Sequence, residues 1–233
     1  MLSDRIQELK KMLMKEAGLV EKMVALSMDG LFYNNTGFLA EVNNFENQVN
    51  QIEIELDDKC FTLIALYQPE AKDLRKILMI YRITNDLERL GDLAVNIAES
   101  AAELYSSPVL KLVPELFTMK EAALIMLRDA IIAFTAEDYI LSRQVCDADN
   151  EVDNYNRYIY KKIASLIREN PSQTKLYLHI LRIAKNLERI GDLSTNIAED
   201  TIFLVQGKVI KHNIETKRSE ERRVGKECAT LCR

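Results

Sequence analysis

Apolar residues recur at spacings of three, four and seven along the first thirty positions of the chain. They are Ile6, Leu9, Leu13, Ala17, Val20, Val24 and Leu31. Because an α-helix turns once every ~3.6 residues, this spacing gathers the apolar side chains on one face. The pattern therefore predicts a long amphipathic helix from about residue 4 to about residue 33.

Helix-breaking residues divide the rest of the chain into similar lengths. Breaks are predicted at the turn-forming run 34–37, at Pro69, at 106–108, near 135–138 and at Asn170-Pro171. Proline disfavours the helical conformation of the residue before it, and runs of Asn, Ser and Gly favour turns. Six helices of roughly 30 residues follow, and their short connections should make successive helices antiparallel, as in a bundle.

The chain contains an internal repeat with a period of 100 residues. The segment NDLERLGDLAVNIAES at 85–100 returns as KNLERIGDLSTNIAED at 185–200, with 10 of 16 positions identical. Each copy spans three predicted helices. The predicted fold is therefore all-α, with two tandem pseudo-symmetric three-helix bundles at 1–105 and 109–206.

Composition narrows the class of protein. Hydrophobic residues make up 48% and charged residues 29%, with only 7 Gly and 4 Pro, which is typical of a helical globular protein. The net charge of −5 argues against a nucleic-acid partner, because phosphate backbones are bound by clustered Lys and Arg. No apolar stretch approaches the ~20 residues of a membrane span, and the four cysteines lack disulfide-framework spacing, so we expect a cytoplasmic protein.

The last residues, 218–233, do not continue the helical pattern. Their sequence, RSEERRVGKECATLCR, has no apolar stripe, and its first part matches a string that a common sequencing adapter encodes in frame. We interpret this segment as an artefact that replaced the natural C-terminus; the alternative is a disordered basic tail. Residues 218–233 therefore supply no candidate functional residue.

Acidic and amide side chains share one stripe of the third helix. At ~100° per residue, Glu88, Asp92, Asn96 and Glu99 lie within about 80° of one another, opposite an apolar face. The second repeat carries the same stripe at Glu188, Asp192, Asn196 and Glu199. These acids are therefore expected to face outward from each bundle.

The helix before each stripe carries acids at matching levels. In the first repeat these are Glu46, Asn50, Glu53 and Asp57, and in the second they are Asp149 and Asp153. Glu46 and Asn50 precede Pro69 by 23 and 19 residues, and Glu88 and Asp92 follow it by 19 and 23. An antiparallel hairpin around Pro69, and another around Pro171, would therefore bring the two stripes of each repeat together.

Facing carboxylates repel one another, so a cation between them is expected. Oxygen-only ligands suit Mg²⁺, Ca²⁺, Mn²⁺ or carboxylate-bound iron, with room for more than one ion. The predicted metal ligands are Glu46, Asn50, Glu53, Asp57, Glu88, Asp92, Asp149, Asp153, Glu188 and Asp192. In the alternative interpretation Arg89 and Arg189 neutralise the acids as ordinary surface ion pairs.

The segments LERLGDLAVNIAE, LERIGDLSTNIAE and QPEAKDLR (68–75) resemble the PhoU family. The resemblance covers essentially residues 1–206. It implies two pseudo-symmetric three-helix bundles, multinuclear clusters of divalent or trivalent ions (iron, zinc, manganese or magnesium) on E(D)-x-x-x-D motifs, and a cytoplasmic protein. It also implies a homodimer that acts as a negative regulator between a phosphate ABC transporter and a sensor histidine kinase, reaching the membrane only through these partners.

The motif is complete at Glu88/Asp92, Glu188/Asp192 and Asp149/Asp153 but only partial at Glu46/Asn50. The two sites therefore need not bind the same number of ions. We expect a non-enzymatic regulator. The alternative is a carboxylate-bound metalloenzyme, a phosphatase or an oxygen-activating enzyme. It is disfavoured because we expect no His, Cys or Lys near the acidic stripe and recognise no pocket-forming loop.

Overall fold

In the computed structural model the described residues are 1–32, 37–105 and 107–206, and within these ranges the chain is helical with no β-strand. The six α-helices are α1 (Leu2–Phe32), α2 (Phe38–Tyr67), α3 (Ala71–Leu104), α4 (Glu115–Ala136), α5 (Tyr139–Glu169) and α6 (Thr174–Gln206). The all-α, six-helix prediction is confirmed. The predicted artefactual segment 218–233 lies outside the described residues.

The apolar stripe of α1 forms part of the core. Leu9 and Leu13 are 1% exposed and Val20 and Val24 are fully buried, against α2 and α3. Burying a Leu, Val or Ile side chain stabilises a fold by about 1.5–3 kcal/mol. The periodicity that predicts the helix is therefore also what attaches it to its neighbours.

Local backbone chemistry explains why the helices end where they do. Gln68 adopts a left-handed conformation with φ of 46°, its N–H bonds to the carbonyl of Ile64, and Pro69 follows. Glu137 ends α4 in the same conformation, with φ of 55°. Asp138 then caps α5, because its Oδ1 accepts hydrogen bonds from the N–H groups of Ile140 and Leu141 at 2.8 and 3.1 Å.

The fourth helix is shorter than its counterpart in the first repeat. Residues Pro108–Leu112 form a 3-10 helix, and α4 starts only at Glu115 and has 22 residues where α1 has 31. Pro114 stands at the N-cap of α4, a position that tolerates a residue without an N–H group. The proline therefore fixes the start of α4.

Helices α1, α2 and α3 pack on one another, as do α4, α5 and α6, and α3 packs against α6 between the two sets. Arg82 on α3 forms an ion pair with Asp200 on α6 at 2.9 Å, and Arg128 on α4 pairs with Glu21 on α1. The two repeats therefore share an interface with both apolar and charged contacts. The boundaries 1–105 and 109–206 stay a prediction.

Two further expectations concern cysteines and membranes. Cys60 and Cys146 are free thiols, and burial raises the pKa of Cys60 to about 12 and that of Cys146 to about 11, so both stay protonated.

None of the helices in the described ranges combines the length and apolar character that a membrane crossing requires.

Candidate metal centres

The first acidic cluster lies along the α2/α3 hairpin and consists of Glu46, Asn50, Glu53, Asp57, Glu88 and Asp92. Asp92 is exposed and the other five side chains are half-buried. Behind the α3 acids, Leu90, Ala94 and Ile97 are fully buried. Because the apolar face of α3 packs into the core, its acidic face points away from the core.

Burial and mutual repulsion raise the pKa values of the carboxyls in the first acidic cluster. For Glu46 the causes are burial, then Asp92 and Glu99; for Glu53 they are burial, then Asp57 and Asp92. Burial also raises the pKa of Asp57. The acids of α2 therefore lie close enough to those of α3 to oppose their ionisation, as the level-matching predicts.

At Glu88, the positive charge of Arg89 does not offset the combined effect of burial and neighbouring acids on the pKa. Burial, Asp92, Glu53 and Glu46 raise its pKa, and Arg89 opposes them without reversing the shift. The ion pair of Arg89 is to Asp86, at 3.6 Å, outside the cluster. Arg89 thus forms its ion pair with a neighbouring residue of α3 and not with an acid of the first acidic cluster.

The second acidic cluster consists of Asp149 and Asp153 on α5 and Glu188 and Asp192 on α6. Burial, followed by Asp192, Asp153 and Glu188, raises the pKa of Asp149 to about 6. Burial, Glu188 and Asp153 also raise the pKa of Asp192, although Lys185 and Arg189 act against the shift. Asp149 and Asp192 are thus each acted on electrostatically by acids from both α5 and α6.

Gly191 allows the backbone of α6 to approach the second acidic cluster closely. A Cβ at this position would lie 3.2 Å from Oδ1 of Asp149, whereas a Cβ at Gly91 would meet only the side chains of Met23 and Val49, the nearest at 3.6 Å. The glycine in the middle of a helix costs roughly 1 kcal/mol relative to alanine. At Gly191 this cost has a local reason, the space needed by the Asp149 carboxylate.

Positive side chains border the second acidic cluster. Lys185 donates a hydrogen bond to Glu188, and Arg157 lies 3.7 Å from Asp153. The expectation that no Lys lies near the acidic stripe is therefore wrong in the second repeat, because Lys185 is one helical turn from Glu188. Arg157, Lys161 and Lys185 also line a cavity of about 420 Å³ beside Asn156 and Tyr160. The side chains of Arg157 and Asp153 are both solvent-exposed, so their contact contributes little stability, about 0–1 kcal/mol, whereas the side chain of Glu188 is only 15% exposed.

The residues present fit a hard cation in their chemistry. Every polar side chain of the two clusters offers oxygen, and Oδ1 of Asp57 is buried without a hydrogen-bond partner. Within 1–32, 37–105 and 107–206, no three Asp, Glu, His or Cys side chains are already arranged around one ion position. Binding would therefore require side-chain rotations, which carboxylates on half-exposed helix faces can make.

A residue that the sequence reasoning missed adjoins the first acidic cluster. Glu16 on α1 is fully buried, and burial raises its pKa to about 8 despite the hydrogen bond from Thr84, with further contributions from Glu53, Asp57 and Glu88. Its position carried a signal, because Glu16 lies three residues after Leu13 and four before Val20, in the apolar stripe of α1. An acidic residue at a predicted core position is the sequence signal that identifies Glu16 as a further candidate ligand.

Comparison with known proteins agrees with this architecture. The PhoU domain matches the chain twice, over residues 13–101 and 116–201. The phosphate-specific transport system accessory protein PhoU homolog of Aquifex aeolicus is 34% identical over 91% of this chain and 96% of its own. The protein of the same name from Pseudomonas aeruginosa is 32% identical, over 93% and 90%.

Solved structures extend the similarity to three dimensions. PhoU from Pseudomonas aeruginosa has a TM-score of 0.85 at 31% identity, covering 89% of this chain and all of that one. The phosphate transport system regulatory protein PhoU from Streptococcus pneumoniae has a TM-score of 0.84 at 25% identity, covering 91% and 100%. The fold and the paired acidic clusters define a two-repeat helical-bundle protein. The chain belongs to the PhoU domain family.

Proposed function

We propose that this chain is an accessory regulator of a phosphate-specific transport system. In this proposal it acts as a negative regulator between the phosphate ABC transporter and a sensor histidine kinase, and not as an enzyme. The observation that carries the proposal is the similarity over nearly the whole length of both chains to accessory proteins of such systems. Each matched PhoU domain also spans one of the two acidic clusters.

In this regulator the two acidic clusters would bind cations. Their oxygen ligands suit iron, zinc, manganese or magnesium, and bound cations would offset the repulsion between facing carboxylates. Glu46, Asn50, Glu53, Asp57, Glu88 and Asp92 would hold the ions of the first repeat. Asp149, Asp153, Glu188 and Asp192 would hold those of the second.

Exposed apolar side chains on α2 support the proposal of protein partners. Ile54, Phe61 and Leu66 are 68%, 58% and 73% exposed, and the first two lie seven residues apart on one helix face. Exposed apolar side chains grouped on a helix commonly mark contact with another protein. We propose that the transporter subunit, the kinase or a second copy of the chain uses such surfaces, and that the protein works in the cytoplasm as a homodimer.

Deleting the gene for this chain in its host tests the regulatory role. Expression of a reporter under a phosphate-starvation promoter should rise in phosphate-rich medium, because a negative regulator has been lost. A plasmid copy of the wild-type chain should restore the low level. Reporter expression that is unchanged by the deletion in phosphate-rich medium would contradict the proposal.

A further inference from the structure

We propose that Glu16 is a buried ligand for an additional cation at the inner side of the first acidic cluster, a position that the second repeat lacks. The inference rests on the proposed role of the acidic clusters as cation sites, and it adds a third helix, α1, to the ligand set. It commits to an ion held by the buried Glu16 carboxylate, toward which the half-buried side chains of Glu53, Asp57 and Glu88 would rotate.

The hydrogen bonding of Glu16 is incomplete. Its side chain is fully buried, and Oε2 accepts a hydrogen bond from the Thr84 hydroxyl on α3. Its other oxygen, Oε1, is buried without a hydrogen-bond partner. A buried polar atom without a hydrogen-bond partner is energetically unfavourable, so this oxygen is a candidate to bind a ligand.

Glu16 lies at the level of the acids on α2 and α3. Its partner Thr84 follows Pro69 by 15 residues and Glu53 precedes it by 16, so the hairpin places these two residues opposite each other. Asp57, one helical turn from Glu53, also has a buried oxygen, Oδ1, without a hydrogen-bond partner. Unsatisfied carboxylate oxygens from two different helices therefore occur at the same end of the cluster.

The two glycines give the register between the repeats. A Cβ at Gly91 would meet Met23 and Val49, and a Cβ at Gly191 would meet Met126 and Val152. Residues of α1 and α2 therefore correspond to residues of α4 and α5 that are numbered 103 higher. For α3 and α6 the difference is 100.

In this register the second repeat lacks three of the four groups that surround the proposed inner ion, and also the hydroxyl that bonds Glu16. The counterparts of Glu16, Glu53, Asp57 and Thr84 are Met119, Asn156, Tyr160 and Ala184. All four replacements remove an acid or a hydroxyl, and Met119 is fully buried. Glu88, which also belongs to the Glu88/Asp92 motif, has an identical counterpart in Glu188. Groups that serve one ion would be lost together in this way, whereas unrelated surface acids need not be.

The test counts ions bound per chain. Metal-free protein is loaded with Mn²⁺, excess ion is removed by gel filtration, and bound Mn²⁺ is measured by elemental analysis. Glu16→Gln should bind about one ion fewer per chain than the wild type, with unchanged helicity by circular dichroism. Asp58→Asn, an exposed acid of α2 outside the cluster, is the matched control and should bind as the wild type does.

The double variant Glu16→Met, Thr84→Ala copies the packing of the second repeat and replaces Glu16→Gln if that variant does not fold. It should show the same loss of one ion. Equal Mn²⁺ content in the wild type and the folded variants would overturn the inference while leaving the outer sites in place. A wild-type chain that retains no Mn²⁺ would overturn both the inference and the cation role of the clusters, whereas the reporter experiment tests regulation separately.

Discussion

Replacing Arg82 with methionine should lower the free energy of unfolding by about 3 kcal/mol. Arg82 on α3 pairs at 2.9 Å with Asp200 on α6, whose side chain is only 2% exposed. Arg82 itself is 39% exposed, but removing it leaves the aspartate charge in a poorly solvated position, which is costly. Methionine keeps much of the length of the arginine stem, so the loss reports on the charge. Urea unfolding followed by circular dichroism measures it.

Arg182→Met is the matched control, because Arg182 is the counterpart of Arg82 in the second repeat. Its carboxylate partner, Glu99 at 2.9 Å, is 52% exposed, so the same substitution should cost less than about 1 kcal/mol. Equal losses for the two variants would contradict the assignment of the Arg82–Asp200 pair as a structural contact between the repeats.

Metal-free protein should lose about 3 kcal/mol of stability between pH 5 and pH 7.5. Burial raises the pKa of Glu16 from its ordinary value of 4.5 to about 8, with added repulsion from Glu53, Asp57 and Glu88. The unfolded chain therefore releases this proton at lower pH than the folded chain. The stabilising contribution is complete below about pH 4.5 and is lost as pH rises toward 8, and Asp149, with its pKa near 6, acts in the same direction.

Thermal melting in chelator across this pH range measures the effect. Glu16→Gln, which cannot ionise, should show a much flatter profile, and Asp58→Asn should follow the wild type. In protein loaded with Mn²⁺ the trend should weaken or reverse, because cation binding favours the ionised carboxylates. Stability of the metal-free wild type that rises from pH 5 to pH 7.5 would contradict the electrostatic description of the clusters.

Much of the fold follows from local signals in the sequence. The spacing of apolar residues predicts α1 to within two residues at its start, and Pro69 and Asn170-Pro171 mark the ends of α2 and α5. The repeated LER(L/I)GDL segments define the two equivalent helices α3 and α6. Each of these signals depends on a few neighbouring residues, and none requires knowledge of how the helices pack.

The contacts between helices were harder to predict. Arg82 and Arg182 are identical residues in equivalent positions, yet one meets a buried aspartate and the other an exposed glutamate, since Asp200 has Ser100 as its counterpart. Likewise, the distances along the chain from Pro69 predict that the acids of α2 and α3 face each other, but they contain no information about α1. The apolar stripe of α1 marks Glu16 as a core position, but its proximity to the acids of α2 and α3 depends on how α1 packs against the α2/α3 hairpin.

The most direct test of the cation sites compares the melting temperatures of the wild type and Asp192→Asn, with Mn²⁺ and with chelator. If the second acidic cluster holds a cation, the variant should melt about 3 °C or more below the wild type in Mn²⁺, because a ligand charge is lost. In chelator the difference should vanish or change sign, within about 0.5 kcal/mol, because one source of repulsion has been removed. Melting of the wild type that does not respond to chelator, with Asp192→Asn as stable as the wild type in Mn²⁺, would show that the cluster is an ordinary solvated surface.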